Sequence, residues 1–320
     1  MTAKSAILEQ CAELGWQAAV VPMARRAEAI ERIAGLHRKG ELDDAFYQEY
    51  LAPMFAEPLP ETLTPRSLIL VAVPDRPARM HFTLDGETFE VLTAPGYLRA
   101  PDPRPSAVIA EILKPFGRSI APASAPLKTL GTMSGFSRYG RNNISYVPGL
   151  GSFTALAGFI SDLECDDAAA QTQEALARCA SCGACRAACP TGAIGDDRFL
   201  LHAERCITFW NEKEPSVPFP DWIDSRWHSA LFGCLHCQRV CPENRPHLRQ
   251  YFEGPAFDEA TTRLLLAGAT KEQIPPEVAP SLEAWRLMDL LAYLPRNLGA
   301  VLRAERLRRE GGKMERGERR

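Results

Sequence analysis

Eight of the ten cysteines in this 320-residue chain fall into spacings that can hold metal. The first run is Cys179-Ala-Ser-Cys182-Gly-Ala-Cys185-Arg-Ala-Ala-Cys189-Pro190. Two residues separate each of its first three cysteines, three precede the fourth, and a proline follows. The second run is Cys234-Leu-His-Cys237-Gln-Arg-Val-Cys241-Pro242, with Cys206 upstream as the missing member. This is the spacing of bacterial ferredoxins. Three thiolates from one tight loop reach three irons of a cubane. The fourth cysteine points away and serves the other cluster, and the proline fixes φ so that the chain cannot continue regularly. The pattern therefore predicts two [4Fe–4S] clusters with interleaved ligands. Cys179, Cys182, Cys185 and Cys241 would hold one, and Cys189, Cys206, Cys234 and Cys237 the other. Zinc is the competing reading, but two zinc sites call for C-x-x-C pairs rather than a triple closed by x3-C-P. Cys11 and Cys165 lack spacing partners and read as bystanders.

Other residues offer weaker signals. Tyr139 to Tyr146 (Tyr-Gly-Arg-Asn-Asn-Ile-Ser-Tyr) reads either as a cofactor loop or as a turn in which Gly and Asn take positive φ. Gly149-Leu-Gly151-Ser-Phe-Thr154 begins like a dinucleotide fingerprint but lacks the third glycine, so it does not predict NAD binding. His236 lies between two cysteines and either tunes a cluster or faces water. Trp210, Trp222 and Trp227 read as a cover that keeps water from a cluster, or as one wall of a pocket.

The elements that must position these groups follow from composition and periodicity. Apolar residues make up 46% and charged residues 24%, with a net charge of -3. That is ordinary globular composition, with no global charge argument for nucleic acid or an anionic membrane. No stretch approaches the roughly 18 apolar residues of a membrane span. The first residues carry no apolar signal core, so the expected compartment is the cytoplasm, where thiols stay reduced and serve metals.

Residues 1–60 read as helical, with a strand-sized apolar run at Trp16 to Val21. Ser67 to Val73 reads as a strand, and Met80 to Thr93 as a hairpin about Asp85-Gly86. Helices follow at Ala107 to Leu113 and Leu127 to Met133, and Phe153 to Leu163 is an apolar run crossing the core. The predicted class is α+β. An N-terminal α/β region with a small sheet spans 1–165, a ferredoxin-like module 166–250, and a helical C-terminal region 251–320. The Arg/Glu-rich end, Arg303 to Arg320, reads as an exposed, fraying helix end.

Beyond the cysteines, Cys189-Pro-Thr-Gly-Ala-Ile194, Ala203-Glu-Arg-Cys206-Ile-Thr208 and Gly233-Cys-Leu-His-Cys-Gln238-Arg-Val-Cys-Pro242 resemble the epoxyqueuosine reductase family. Gly135-Phe-Ser-Arg-Tyr-Gly140-Arg-Asn142-Asn143 and Gly151-Ser152-Phe153 are similar to two further family segments. The resemblance spans about residues 124–246. It implies a corrinoid-dependent reductase in which electrons from a ferredoxin- or flavodoxin-type carrier cross the clusters to cobalamin. It further implies corrin contacts from Gly140, Arg141, Asn142, Asn143 and Thr208. The family's proton-donating Asp has its nearest counterpart in Asp102, which Pro103-Arg104-Pro105 follows; Asp102 reads alternatively as a turn before the next helix. A tRNA substrate is implied as well, with the basic end (Arg308, Arg309, Arg316, Arg319, Arg320) available for phosphates. The alternative class is an electron-transfer protein that keeps the clusters and lacks the corrinoid.

Overall fold

The computed structural model describes residues 1–98, 104–165 and 175–317, with side chains through Glu310. Nine strands occur among these residues: β1 Gln17–Pro22, β2 Ser67–Pro74, β3 Ala78–Leu84, β4 Glu87–Thr93, β5 Ile120–Pro122, β6 Arg138–Tyr139, β7 Ser145–Tyr146, β8 Thr154–Ser161 and β9 Phe252–Phe257. They form a four-stranded sheet ordered β1-β2-β8-β5, a three-stranded sheet β4-β3-β9 and the small pair β6-β7.

The continuous apolar run of β2 has a simple cause. The strand is covered on both faces, so both sets of alternating side chains must be apolar. Ile69, Val71 and Val73 pack with Ile7 and Cys11 of helix Ala3–Glu13 and with Ile109 and Leu113 of helix Pro105–Leu113. Leu68 and Leu70 pack on the other face with Ala29 of helix Ala24–Arg38 and Leu130 of helix Leu127–Met133.

The hairpin turns at Asp85 (φ 54°) and Gly86 (φ 75°), as two positive φ values in a two-residue loop require. It leaves the N-terminal sheet and packs with the C-terminal helices. Phe82 and Phe89, fully buried, share one core with Leu265, Leu282, Leu298 and Val301. Strand β9 joins this sheet parallel to β3. The sequence reading missed it, because Glu253-Gly254-Pro255 interrupts the run with strand breakers and its partner lies about 170 residues away. Gly254 is required there: a Cβ would sit 2.6 Å from Met80.

The C-terminal helix continues through Leu294–Gly317, so the expected fraying does not begin at Arg303. Arg306 and Arg309 lie over the Phe89 ring at 5.4 and 4.6 Å. Arg308 donates to the carbonyls of Arg226 and His228, and Arg309 to that of Thr88. These cations are used inward, as packing stems with paired heads. Among the described residues no helix is long and apolar enough to cross a membrane.

Candidate iron–sulfur site

The cysteine loops are built from single helical turns that end at extended residues. Helix Ala184–Ala188 closes on Cys189 (φ -77°, ψ 110°) before Pro190. Helix His236–Arg239 is followed by Cys241 (φ -71°, ψ 124°) before Pro242. A residue before proline is driven out of the α region, so each fourth cysteine turns away from its own loop. Cys206 stands at the start of helix Ile207–Glu212, with the amides of Thr208 and Phe209 and the Thr208 hydroxyl directed at its sulfur.

Two groups of thiols result. Cys179, Cys182, Cys185 and Cys241 line one cleft together with Gly140, Arg141, Asn142 and Tyr146. Cys206, Cys234 and Cys189 interact with one another, and Cys237 interacts with Cys234 and Cys206. Cys237 also feels Cys185, so the two groups adjoin. We call them the outer and inner sets. Burial pushes the Cys234 thiol up to about 12 and raises Cys206 and Cys237 as well. Burial also raises Cys179 and Cys185. Such thiols become thiolates only if a cation is supplied, and iron supplies it.

Among the described residues no three His, Cys, Asp or Glu side chains are gathered tightly enough for a single metal ion. Beside Cys234, the buried Ser229 hydroxyl has no partner other than that sulfur. The donor set and this orphaned hydroxyl both fit iron–sulfur clusters.

The β6-β7 turn supports the outer set. The Arg141 amide is directed at Cys179, Tyr146 donates to Cys241, and Asn142 Nδ2 donates to Tyr146 Oη at 3.0 Å. Gly140 is needed for this approach, because a Cβ would lie 2.4 Å from the Tyr146 ring. Gly140, Arg141, Asn142 and Thr208 thus stand against thiols. Asn143 (φ 54°) faces elsewhere: it accepts from the Leu201 amide and lines a cavity of about 410 Å³. That cavity is walled by Ile33, Leu36, Phe46, Leu51, Phe199 and Leu200, with Arg32, Glu41, Lys128, Thr129 and Tyr139 as further polar lining. Asp102 lies outside the described residues.

Several residues that position the site escaped the sequence reading. Asn244 accepts from the Ser152 amide at 2.9 Å and donates to Ser152 Oγ and the Gln238 carbonyl. Gly151 (φ 65°) allows this, since a Cβ there would meet Asn244 Oδ1 at 2.5 Å. Asn211 donates to the Gly233 carbonyl at 2.7 Å, and Asn297 to that of Asn211. Arg296 donates to the carbonyls of Asn211, Lys213, Glu214 and Val217. Only the Gly151-Ser152 step carried a signal, as a family-like segment. His236 bonds the Trp227 carbonyl at 3.0 Å, and Trp210 meets Trp222 edge-on at 6.3 Å in the segment between Cys206 and Cys234. Cys11 is buried in the N-terminal core, and Cys165 donates to the Val20 carbonyl.

Residues 178–244 match the model of a 4Fe-4S double cluster binding domain. An iron–sulfur module with two [4Fe–4S] clusters, set in an α+β frame, is therefore the class to which fold and site lead. The sequence resembles the epoxyqueuosine reductases. That of Alicycliphilus denitrificans is 33% identical over 150 residues, 46% of this chain and 40% of the relative. That of Bacillus subtilis is 32% identical over 143 residues, 43% and 34% of the two chains. The chain thus spans less than half the length of these curated relatives in the matched region. The fold is that of solved epoxyqueuosine reductases. The Bacillus subtilis structure superposes with a TM-score of 0.57 at 18% identity, over 94% of this chain and 80% of that one. The Streptococcus thermophilus structure gives 0.58 at 17%, over 94% and 81%.

Proposed function

We propose that this chain is an iron–sulfur reductase that works with a corrinoid. Cys179, Cys182, Cys185 and Cys241 would hold the outer cluster, and Cys189, Cys206, Cys234 and Cys237 the inner one. The observation that carries the reading is that the two thiol sets adjoin and that the β6-β7 turn, whose Gly140, Arg141 and Asn142 line the outer set, places Asn143 in an open, largely apolar cavity. Clusters so placed supply one-electron relay chemistry. A bound corrinoid would supply a cobalt centre that is strongly nucleophilic when reduced.

The cavity has the character of a small-molecule site, whose volumes run to about 300–1,000 Å³ with few polar groups. Asn143 and Lys128 would bind the polar edge of the corrinoid there, and Phe46, Phe199 and Leu200 would exclude water. Gly140, Arg141, Asn142 and Thr208 would act from behind the thiols. Asp102 is the candidate proton donor. The reducing partner would be a one-electron carrier of the ferredoxin or flavodoxin kind, in the cytoplasm.

One relative of this fold was solved with an epoxyqueuosine-modified tRNA stem loop. A tRNA substrate for this chain cannot rest on Arg308 and Arg309, which are spent on internal contacts.

The test is anaerobic purification followed by addition of hydroxocobalamin, reduction, desalting, and visible and EPR spectroscopy. About eight irons and eight sulfides per chain are expected, with a retained base-off cobalt(II) signal. Stoichiometric zinc without sulfide would overturn the cluster assignment. Intact clusters with no retained corrinoid would instead mark the chain as an electron carrier. Binding of tRNA would show a steep fall with salt.

A further inference from the structure

The segments that carry the two cysteine loops are charged with one sign. Residues 175–190 and 238–250 hold five arginines (Arg178, Arg186, Arg239, Arg245 and Arg249) and one acid, Glu243. The whole chain has a net charge of -3, so these segments run against its balance. All five arginines are exposed. Glu243 pairs with Arg178 at 2.9 Å, and Asp196 pairs with Arg186. Arg239, Arg245 and Arg249 make no ion pair or side-chain hydrogen bond among the described residues.

These segments meet at the outer set. Arg178 and Glu243 line the same cleft as Cys179, Cys182, Cys185 and Cys241. Helix Ala184–Ala188, with Arg186, contacts helix His236–Arg239. Arg245 lies on the turn Pro242–His247, which starts at the cleft, and Arg249 follows two residues after it. Among these cations the chain also exposes apolar side chains. Val240, directly before Cys241, keeps 42% of its surface exposed, and Ala180 and Ala187 are exposed as well. The inner set is flanked differently, because Ile207, Phe232, Gly233 and Leu235 beside Cys206 and Cys234 are all buried. An electron brought by another protein therefore meets solvent-facing chain at the outer set.

A cationic face about a redox centre attracts an anionic partner. Steering of this kind raises association rates by about 10- to 1,000-fold at low salt. Charges at the rim of such a contact govern the on-rate and its salt dependence. Redox encounters bury little area, which suits a carrier that must leave after each electron. A small apolar spot among charges has that character. Nucleic acid also answers to cations. Yet the cavity that would take a substrate shares no lining residue with this cleft, and exposed aliphatic side chains offer a phosphate backbone nothing.

We propose that the arginine face about the outer thiols docks an acidic protein that carries one electron, and that Arg239, Arg245 and Arg249 steer it there. Each encounter oxidises the carrier by one electron and reduces the outer cluster by one. This rests on the cluster assignment made above but not on the corrinoid.

The experiment is stopped-flow reduction of the anaerobically purified, cluster-loaded full chain, followed by bleaching of the visible cluster absorption. The donors are a reduced flavodoxin, which is acidic, and reduced methyl viologen, a small cation. The wild-type rate with flavodoxin should fall steeply from about 0.01 M to about 1 M salt, as the Debye length drops from about 30 Å to about 3 Å. The triple variant Arg239→Glu, Arg245→Glu, Arg249→Glu should lower the low-salt flavodoxin rate about tenfold or more. It should converge with the wild type at high salt, keep its iron, and not be slower with methyl viologen. The variant Arg239→Lys, Arg245→Lys, Arg249→Lys should keep most of the wild-type rate, since steering reads charge. A flavodoxin rate that ignores salt, a wild-type rate in the glutamate variant, or an equal loss with both donors would overturn the proposal. So would loss of tRNA stem-loop binding in the glutamate variant with its flavodoxin rate intact, which would give the face to nucleic acid. Absence of iron and sulfide from the wild type would instead overturn the cluster assignment on which it stands.

Discussion

The loop from Cys179 to Pro190 is fastened from outside, and the loop from Cys234 to Pro242 from within. Around the first, Arg178 pairs with Glu243 at 2.9 Å and Arg186 pairs with Asp196, all on the surface. Around the second, Gly233 is held by Asn211, Asn211 by Asn297 and Arg296, and the stretch from Gln238 onward by Asn244 and Ser152. The two loops share one cysteine pattern, so the pattern sets what is bound. The surroundings set how rigidly it is held and how much water reaches it. Charge pairs in water contribute little, whereas buried amides that lose a partner cost their full desolvation.

The largest break in this contrast should come from Arg296. Its guanidinium satisfies four carbonyls at 2.7 to 2.9 Å and lies over the Phe219 ring at 5.0 Å. Arg296→Ala takes the guanidinium from the Lys213 and Val217 carbonyls and leaves those of Asn211 and Glu214 with only Asn297 Nδ2 and the Val217 amide, and is expected to cost about 3–5 kcal/mol. Arg296→Lys should rescue little, because an ammonium cannot span a planar fork of acceptors. Denaturant midpoints and iron content of the purified variants check this, with the inner cluster lost first.

Asn244→Ala comes next. It leaves the Ser152 amide without its acceptor and takes one of two donors from Ser152 Oγ and from the Gln238 carbonyl, at an expected cost of about 2–4 kcal/mol. Gly151→Ala probes the same lock from the other side. Positive φ and a Cβ set against Asn244 Oδ1 should give a loss of similar size. If both variants unfold at the wild-type midpoint, the second loop is not held from within.

His228 sharpens the comparison through pH. It is buried against Phe219 at 4.4 Å, and burial, with the charges of Arg303, Arg308 and Arg296, lowers its pKa to about 4. The unfolded value is about 6.5. Between these values the unfolded chain binds more protons than the folded one, so stability falls as pH falls. The contribution is fully present above pH ~6.5 and gone below pH ~4, a span of about 3 kcal/mol. His228→Gln should flatten that slope in unfolding curves taken across the window. An unchanged slope would show that the inner segment admits water.

The cysteines were legible because their meaning is local: spacing alone determines which thiols one loop can aim at one cluster. So were β2, the Asp85-Gly86 hairpin and helix Leu127–Met133, where periodicity or turn chemistry lies within a few residues. Strand β9 was not, since its pairing with β3 bridges most of the chain and its own run contains Gly254 and Pro255. Asn211, Asn244 and Arg296 were not, because a single amide or guanidinium has no pattern until the fold brings carbonyls to it.

The smallest expected effect lies at the surface pair beside the first loop. Arg178 and Glu243 keep 59% and 35% of their side-chain surface exposed. At such exposure water screens the attraction, and fixing two long side chains costs entropy. Arg178→Ala is therefore expected to lower stability by about 0–1 kcal/mol and to leave the iron content unchanged. The effect should fade further when salt is raised, because the Debye length shrinks from about 10 Å at 0.1 M to about 3 Å at 1 M. A double-mutant cycle with Glu243→Ala, run at both salt concentrations, measures the pair itself. A coupling well above 1 kcal/mol that persists in high salt would mean that the first loop is also held by desolvated charge. The difference between the loops would then be one of degree, and the outer cluster would need the same account as the inner one.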